Sequence, residues 1–143
     1  MPNEDSISRK AVSYVIEYEK KQGRHTLDVQ SNGKFRGFDV FSFSKDKKDI
    51  RTIEVKGTAG KGIPDCFETE FTRNKKLIAT HMYVVCFINP KKPILYTIPA
   101  SAFLHEHLKE TIHYKISSTF ITKILPKYKA EKIEVQKPKM KRK

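Results

Sequence analysis

The stretch Met82–Ile88 constrains the fold of this chain most strongly, because its seven residues are apolar without interruption. A strand with one solvated face alternates apolar and polar residues, whereas a strand buried on both faces reads as a continuous apolar run. The run therefore predicts a strand that is buried on both faces, within a β-sheet that has helices packed against it.

The rest of the chain supplies the elements of such a sandwich. Residues 5–22 place apolar side chains at three- to four-residue spacing and stop at Gly23, which predicts a helix. Residues 37–43 and 50–56 are rich in aromatic and β-branched residues and predict a hairpin. Further strands are predicted at 25–30 and 94–98, helices at 72–80 and 99–108, and one or two edge strands within 112–125. The predicted fold class is α/β, a single domain over residues 1–125 with a central mixed β-sheet flanked by helices.

The charge of the chain favours a polyanionic partner. Lys and Arg number 29 against 16 Asp and Glu, which gives a formal net charge of +13. Residues 126–143 hold eight basic and two acidic residues and so carry +6, which leaves +7 on the body. We expect this segment to be a basic, flexible tail, either a non-specific phosphate tether or a solubilising extension. Nucleic acid is a better fit to this charge than a membrane surface.

Several classes of protein are disfavoured by the sequence. No apolar run approaches the ~20 residues that span a bilayer, so we expect an intracellular, cytoplasmic protein. Cys66 and Cys86 stand apart without the spacing of a zinc site or a disulfide scaffold. The glycine-rich loop at 57–62 is too short for a nucleotide-binding loop and has Gly62 where such loops need Ser or Thr.

Three charged residues of the hairpin carry the strongest chemical signal. Glu54 and Lys56 are two residues apart on a predicted strand and so project from the same face. Asp39 joins them on that face if it pairs with residue 54 or 56, and points away if it pairs with Val55. Two carboxylates at one point favour a hard cation such as Mg²⁺ or Mn²⁺, and an adjacent ammonium group favours phosphate. The alternative interpretation is a solvated ladder of salt bridges on an exposed sheet face.

The segments Gly37-Phe38-Asp39 and Ile53-Glu54-Val55-Lys56-Gly57 resemble the PD-(D/E)XK nuclease superfamily, whose fold is restriction endonuclease-like. The arrangement over residues 8–100 is similar to its NO VEIN C-terminal-like branch. The resemblance implies a metal-dependent endonuclease that hydrolyses phosphodiester bonds of DNA. It implies metal binding by Asp39, Glu54 and the carbonyl of Val55, and a catalytic role for Lys56. It further implies that a carboxylate from the first helix binds the metal. The candidates are Glu17 and Glu19, and we assign this role to Glu17.

The remaining predictions concern partners and alternatives. Lys61, Arg73, Lys75 and Lys76 follow the hairpin and are candidates for nucleic-acid binding, or else form a solvated basic face. A homodimer would supply the two active sites that a double-strand cut needs. The aromatic residues Phe35, Phe38, Phe41 and Phe43 are predicted to pack in the core, with Phe35 as a candidate contact to a base. The rival functions are a catalytically inactive nuclease-fold module that binds nucleic acid or assists assembly, and a protein-interaction domain.

Overall fold

The computed structural model describes residues 4–30, 38–60, 79–104, 108–110 and 114–130. The chain opens with one long helix and continues mainly as strands. In chain order the elements are α1 (Glu4–Lys21), β1 (His25–Asp28), β2 (Val40–Phe43), β3 (Ile50–Thr58), β4 (His81–Cys86), β5 (Ile94–Pro99), β6 (Leu108–Glu110) and β7 (Tyr114–Ile116).

A five-stranded mixed sheet in the order β1-β2-β3-β4-β5 forms the centre of the molecule. Neighbouring strands are antiparallel except β3 and β4, which run parallel. The position of β4 between β3 and β5, under layers on both faces, explains its apolar run, since five of its six residues are buried. The α/β class and the hairpin of β2 and β3 are therefore confirmed. The short strands β6 and β7 form a separate antiparallel pair.

Different layers cover the two faces of this sheet. Helix α1 packs on one face through Ala11, Val12 and Val15, which meet Val40 and Ile53 of β2 and β3. We call this the helix face. The opposite face is covered over β4 and β5 by residues from the C-terminal part of the chain, among them Phe103, Phe120 and Leu125. Because side chains alternate along a strand, consecutive residues of β3 belong to different faces.

The segment after β5 differs from the prediction. The predicted helix over 99–108 is wrong, because a 3₁₀ turn of three residues, Ala100–Ala102, is followed by Phe103 in an extended conformation, and a strand, β6, begins at Leu108. The side chain of Phe103 turns into the core and stacks on Phe120 at a ring-centroid distance of 5.0 Å. That long-range contact outweighs the helical spacing of the local sequence.

The C-terminal region also departs from the predicted pattern. Only β7 is a strand in the part of 112–125 that the structure describes, and a π-helical turn at Phe120–Ile124 continues into a 3₁₀ turn at Leu125–Tyr128. The first five residues of the predicted tail, 126–130, pack on the sheet, since the N–H of Ala130 donates to the carbonyl of Leu95 at 2.9 Å. Residues 131–143 lie outside the described part of the chain, as do most of the helix predicted at 72–80 and residue Phe35. Within the described residues, no helix has the length and apolar character needed to cross a bilayer.

Candidate active site

Strand β3 continues beyond Val40, the first residue of β2, and this mismatch opens a gap inside the sheet. The last pair of the β2–β3 ladder is Val40 with Ile53, whereas β3 runs on to Thr58. At the end of the ladder, the N–H of Asp39 donates to the carbonyl of Ile53 at 2.8 Å. The carboxylate of Asp39 then accepts the N–H of Val55 at 2.9 Å, at the position where a longer β2 would supply a backbone carbonyl.

The register places the three predicted charged residues together. Glu54 projects from the face opposite to that of Ile53, and Asp39 lies one residue before Val40, where its carboxylate accepts the N–H of Val55, the residue after Glu54. Lys56 follows on that face, and its Nζ is 3.4 Å from Oε2 of Glu54. The ladder of β2 and β3 ends at Val40 and Ile53, and Asp39, Glu54 and Lys56 all line one pocket beyond it. Glu54 is 8% exposed, so its charge is largely withdrawn from water, unlike the solvated ladder considered above.

The main chain of Val55 also faces the gap. The carbonyls of Thr52 and Thr58 accept hydrogen bonds from Thr80 and Phe87 on the β4 side of β3. Backbone groups alternate between the two edges of a strand. The N–H and C=O of Val55 therefore point to the other edge, beyond the first residue of β2. The carbonyl predicted as a metal ligand therefore lies on the side of Asp39.

A surface pocket of about 510 Å³ occupies this gap. We call it the site pocket. The first turns of α1 close one side of it, and they contact β3 closely, since a Cβ added to Gly57 would lie 2.8 Å from Cβ of Ala11. The residues that line it are Ile7, Ser8, Gln30, Asp39, Glu54, Val55, Lys56, Gly57, Thr58 and Ala59.

The structure does not bring Glu17 into the site pocket. Glu17 is exposed on α1 and lies nine residues after Ser8, which corresponds to about 14 Å along the helix. In addition, α1 packs on the helix face, whereas the side chains of Glu54 and Lys56 project from the opposite face. The helix reaches the pocket only with its first turns, so the C-terminal half in which Glu17 lies is too far away.

Glu19, the other helix candidate, is the centre of a buried polar cluster under α1. It is fully buried and accepts hydrogen bonds from Ser42 at 2.7 Å, from Arg51 at 3.0 and 3.1 Å, and from the hydroxyl of Tyr83 at 2.7 Å. The Nε of Arg24 lies 3.2 Å from its carboxylate. Burial and the charge of Glu19 raise the pKa of Tyr83, so this hydroxyl remains protonated and donates. Glu19 therefore joins α1 to β2, β3 and β4 and does not belong to the site pocket.

Two pocket residues, Ser8 and Gln30, are absent from the sequence-based prediction. The amide Nε2 of Gln30 donates to Oγ of Ser8 at 2.7 Å, and its Oε1 accepts from Arg9. Arg9 also forms an ion pair with Asp28 at 2.9 Å. These contacts hold the first turns of α1 against the end of β1. Neutral polar residues without a characteristic spacing give no signal in a single sequence, and only their three-dimensional contacts identify them.

The donor set of the pocket fits a hard divalent cation. Two carboxylates and one backbone carbonyl are oxygen ligands, which Mg²⁺ and Mn²⁺ prefer, and Mg²⁺ commonly keeps several waters beside one or two carboxylates. Within the described residues no cluster of three or more His, Cys, Asp or Glu side chains is arranged for a metal. Lys61, Arg73, Lys75 and Lys76 lie outside the described residues and remain predictions.

A known protein family covers the part of the chain that forms the site pocket. The family model described as Protein NO VEIN, C-terminal, matches residues 7–91, which is more than half of the chain and includes most of α1 and the whole hairpin. The chain belongs to the NO VEIN C-terminal family. Members of this family have a restriction endonuclease-like domain, so the predicted superfamily and fold are confirmed.

A solved structure supports the fold independently. The chain is similar to a bacterial homing endonuclease, I-Ssp6803I, with a TM-score of 0.51 and 13% sequence identity over 73% of this chain and 71% of that chain. At this identity the likeness establishes the nuclease-like fold alone. None of the curated proteins matches the chain.

Proposed function

We propose that this protein is a metal-dependent endonuclease that hydrolyses phosphodiester bonds of DNA, with Asp39, Glu54 and Lys56 as its catalytic residues. The observation that carries the proposal is the meeting of two carboxylates and one ammonium group at the gap beside β3, where the carbonyl of Val55 also points. A nuclease-like fold and this arrangement of charges support the same chemistry.

The charge balance of the site supports binding of both a cation and a phosphate. Asp39 and Glu54 contribute two negative charges and Lys56 one positive charge, which leaves an excess of one negative charge. Adding a divalent cation reverses the sign and makes the pocket attractive to the phosphodiester anion. When bound, such an ion polarises the phosphoryl oxygen and lowers the pKa of a water molecule, which is the chemistry needed for in-line hydrolysis.

The residues of the chain then have separate tasks. Asp39 and Glu54 hold the cation, together with the carbonyl of Val55. The hydrogen bond from the N–H of Val55 fixes the Asp39 carboxylate at the strand edge. The contact with Glu54 keeps the ammonium group of Lys56 on the same face, where it binds a phosphate oxygen or orients the attacking water.

DNA is the proposed substrate because the chain carries a net charge of +13 and because the structural neighbour is a homing endonuclease. DNA carries one negative charge per phosphate, and basic proteins bind these phosphates through salt-sensitive contacts. For cutting both strands of a duplex we propose a homodimer, since each site pocket holds one set of catalytic residues.

The test compares charge-neutralising variants with wild type in a cleavage assay. Supercoiled plasmid, linear duplex, single-stranded and branched DNA, and RNA are incubated with Mg²⁺ or Mn²⁺. Asp39→Asn, Glu54→Gln and Lys56→Ala should each lower the cleavage rate by at least about 100-fold, the scale measured when one transition-state contact is removed. Asp39→Asn is informative because an asparagine oxygen still accepts the N–H of Val55, so the local fold is retained while the charge is lost.

Glu17→Gln is the matched control, since it neutralises an exposed carboxylate of α1 outside the site pocket and should leave the rate unchanged. Excess EDTA should abolish cleavage by wild type. If wild type cuts none of the substrates, or if Glu54→Gln cuts as fast as wild type, the proposal is wrong. In that case, nucleic-acid binding that ignores both EDTA and Glu54→Gln would identify the rival function, an inactive nuclease-fold binding module.

A further inference from the structure

A row of apolar and aromatic side chains lies beside the site pocket, on the same face of the sheet as Glu54. The register pairs Leu27 with Phe41 and His25 with Phe43 across β1 and β2, and Phe43 with Ile50 across β2 and β3. We call these five residues the platform. Phe41, Phe43 and Glu54 all project from the face opposite to that of the Val40–Ile53 pair, because side chains alternate along a strand, so the platform and Glu54 face the same way.

The platform is open to solvent to an unusual degree for apolar residues. Leu27 is 55% exposed and Ile50 is 49% exposed, while Phe41 and Phe43 are partly exposed. The prediction that these two phenylalanines belong to the core is therefore wrong, although Phe38 does pack against the core. The C-terminal layer that covers this face lies over β4 and β5, and the core residues it meets belong to those strands. Contiguous exposed apolar surface on a small protein commonly marks a binding site.

The aromatic rings of the platform are arranged as a continuous surface. His25 stacks on Phe43 with ring centroids 5.4 Å apart, and Phe41 lies 5.8 Å from Phe43. At about 3.4 Å per residue along a strand, Phe41 is about 7 Å and Phe43 about 14 Å from Asp39. The surface thus leads directly away from the proposed point of cleavage.

Charge at both ends of the platform identifies its occupant. Lys56 lies at the end next to the site pocket. The turn that closes β2 and β3 at the other end carries the exposed residues Lys45, Lys47 and Lys48 beside Asp46 and Asp49, which leaves a net charge of +1. Aromatic rings flanked by cations fit a chain of bases joined by phosphates. In a duplex the base faces are stacked inside the helix, so side chains of this kind reach them only where bases are unpaired.

From this arrangement we infer that the platform binds unpaired nucleotides next to the scissile phosphate, so that the preferred substrate contains single-stranded DNA. The inference rests on the proposed nuclease function for its substrate, and its own content is the stacking of bases on Phe41 and Phe43. These two residues then determine substrate structure and take no part in the hydrolysis itself.

The chain contains no tryptophan, so Phe43→Trp introduces one indole whose emission reports base stacking. The variant is titrated in EDTA, which prevents cleavage, with a single-stranded thymidine oligonucleotide, an abasic oligonucleotide of the same length, and a blunt duplex. The indole emission should be quenched by the thymidine oligonucleotide and stay unchanged with the other two at saturation. Ile121→Trp is the control, because Ile121 is exposed on the C-terminal turn and lies outside the platform. Its emission should not respond to any of the three.

Affinity gives a second measurement. By fluorescence anisotropy of labelled oligonucleotides, wild type should bind the thymidine oligonucleotide about 5- to 100-fold more tightly than the abasic one, the range that corresponds to loss of one base stack. Phe41→Ala should lose that preference, whereas Phe43→Trp should keep it. Because truncating a partly buried ring also affects packing, the ring-retaining Phe43→Trp variant carries the test if the alanine variant does not fold.

Several results would overturn the inference. Equal affinity for the thymidine and abasic oligonucleotides, equal quenching of both tryptophan variants, tighter binding of the duplex, or a concentration-dependent dimer that buries the platform would each refute it. The proposed nuclease function is tested separately. Quenching without metal-dependent cleavage would support base stacking on the platform and refute the nuclease function. Metal-dependent cleavage without quenching would support the nuclease function and refute base stacking on the platform.

Discussion

Replacing Glu19 by glutamine should strongly destabilise the fold while leaving the site chemistry intact. The carboxylate is fully buried and lies within 3.2 Å of Arg24 and 3.0 Å of Arg51. The side chain of Arg24 is itself only 7% exposed, so the variant leaves the positive charge of its guanidinium group in the interior with one negative partner fewer. Removing one partner of a buried pair costs about 3–5 kcal/mol. Because Arg24 keeps its ion pair with Asp49 at 2.8 Å, we expect the lower end, about 3 kcal/mol.

Urea unfolding followed by circular dichroism measures this change. With a denaturant dependence of about 2 kcal/mol per molar urea, a loss of about 3 kcal/mol lowers the unfolding midpoint by about 1.5 M. Glu17→Gln is the matched control on the same helix, because Glu17 is exposed and its replacement should stay within about 0.5 kcal/mol of wild type. A change below about 1 kcal/mol for Glu19→Gln would refute the argument from burial. So would a folded Glu19→Gln variant that has lost metal-dependent cleavage, since that result would place Glu19 in the chemistry.

Two further predictions concern packing and pH. Gly57→Ala should lower the free energy of unfolding by about 1–3 kcal/mol in urea, because its new Cβ would lie 2.8 Å from that of Ala11. Gly60→Ala is the control: the nearest atom to its new Cβ is 3.5 Å away, so its free energy of unfolding should stay within about 0.5 kcal/mol of wild type. Equal effects of the two substitutions would contradict the close packing of α1 on β3. Burial and the nearby Arg51 guanidinium lower the pKa of His81 below 6.5, so the folded state favours the neutral imidazole. The contribution of His81 to stability is complete above pH 6.5 and is lost as the pH falls through the lowered pKa. Urea midpoints measured from pH 8 to pH 5 should therefore fall less steeply below pH 6.5 in His81→Gln than in wild type, and identical slopes would show that His81 does not contribute.

The secondary structure of the sheet and its class could be read from local patterns. The apolar run of β4, the spacing of α1 and the charged turn between β2 and β3 are strong signals, and their elements begin and end within a few residues of the prediction. The register of Asp39 could not be read in this way. Both registers satisfy the alternation of the strand, and the choice depends on contacts such as the hydrogen bond from Val55 to the Asp39 side chain.

The failures share one physical cause, which is contact between residues far apart in the chain. Glu19 resembles an ordinary surface charge in the helix pattern, but its partners Ser42, Arg51 and Tyr83 come from three different strands. The same holds for Phe103, whose stacking on Phe120 replaces a helix that the local spacing favours. Local propensity is a weak prior, and tertiary packing overrides it at such positions.

Because β2 begins only at Val40, the proposed activity depends on the length of one strand as well as on three side chains. If two more residues of β2 paired with β3, a backbone carbonyl would take the N–H of Val55, and the strand itself would occupy the space now open beside Asp39 and Glu54. Such a chain would keep every residue of the nuclease motif and have no room for a scissile phosphate. For relatives of this domain, the residue at which the second strand begins is therefore as informative about activity as the motif itself.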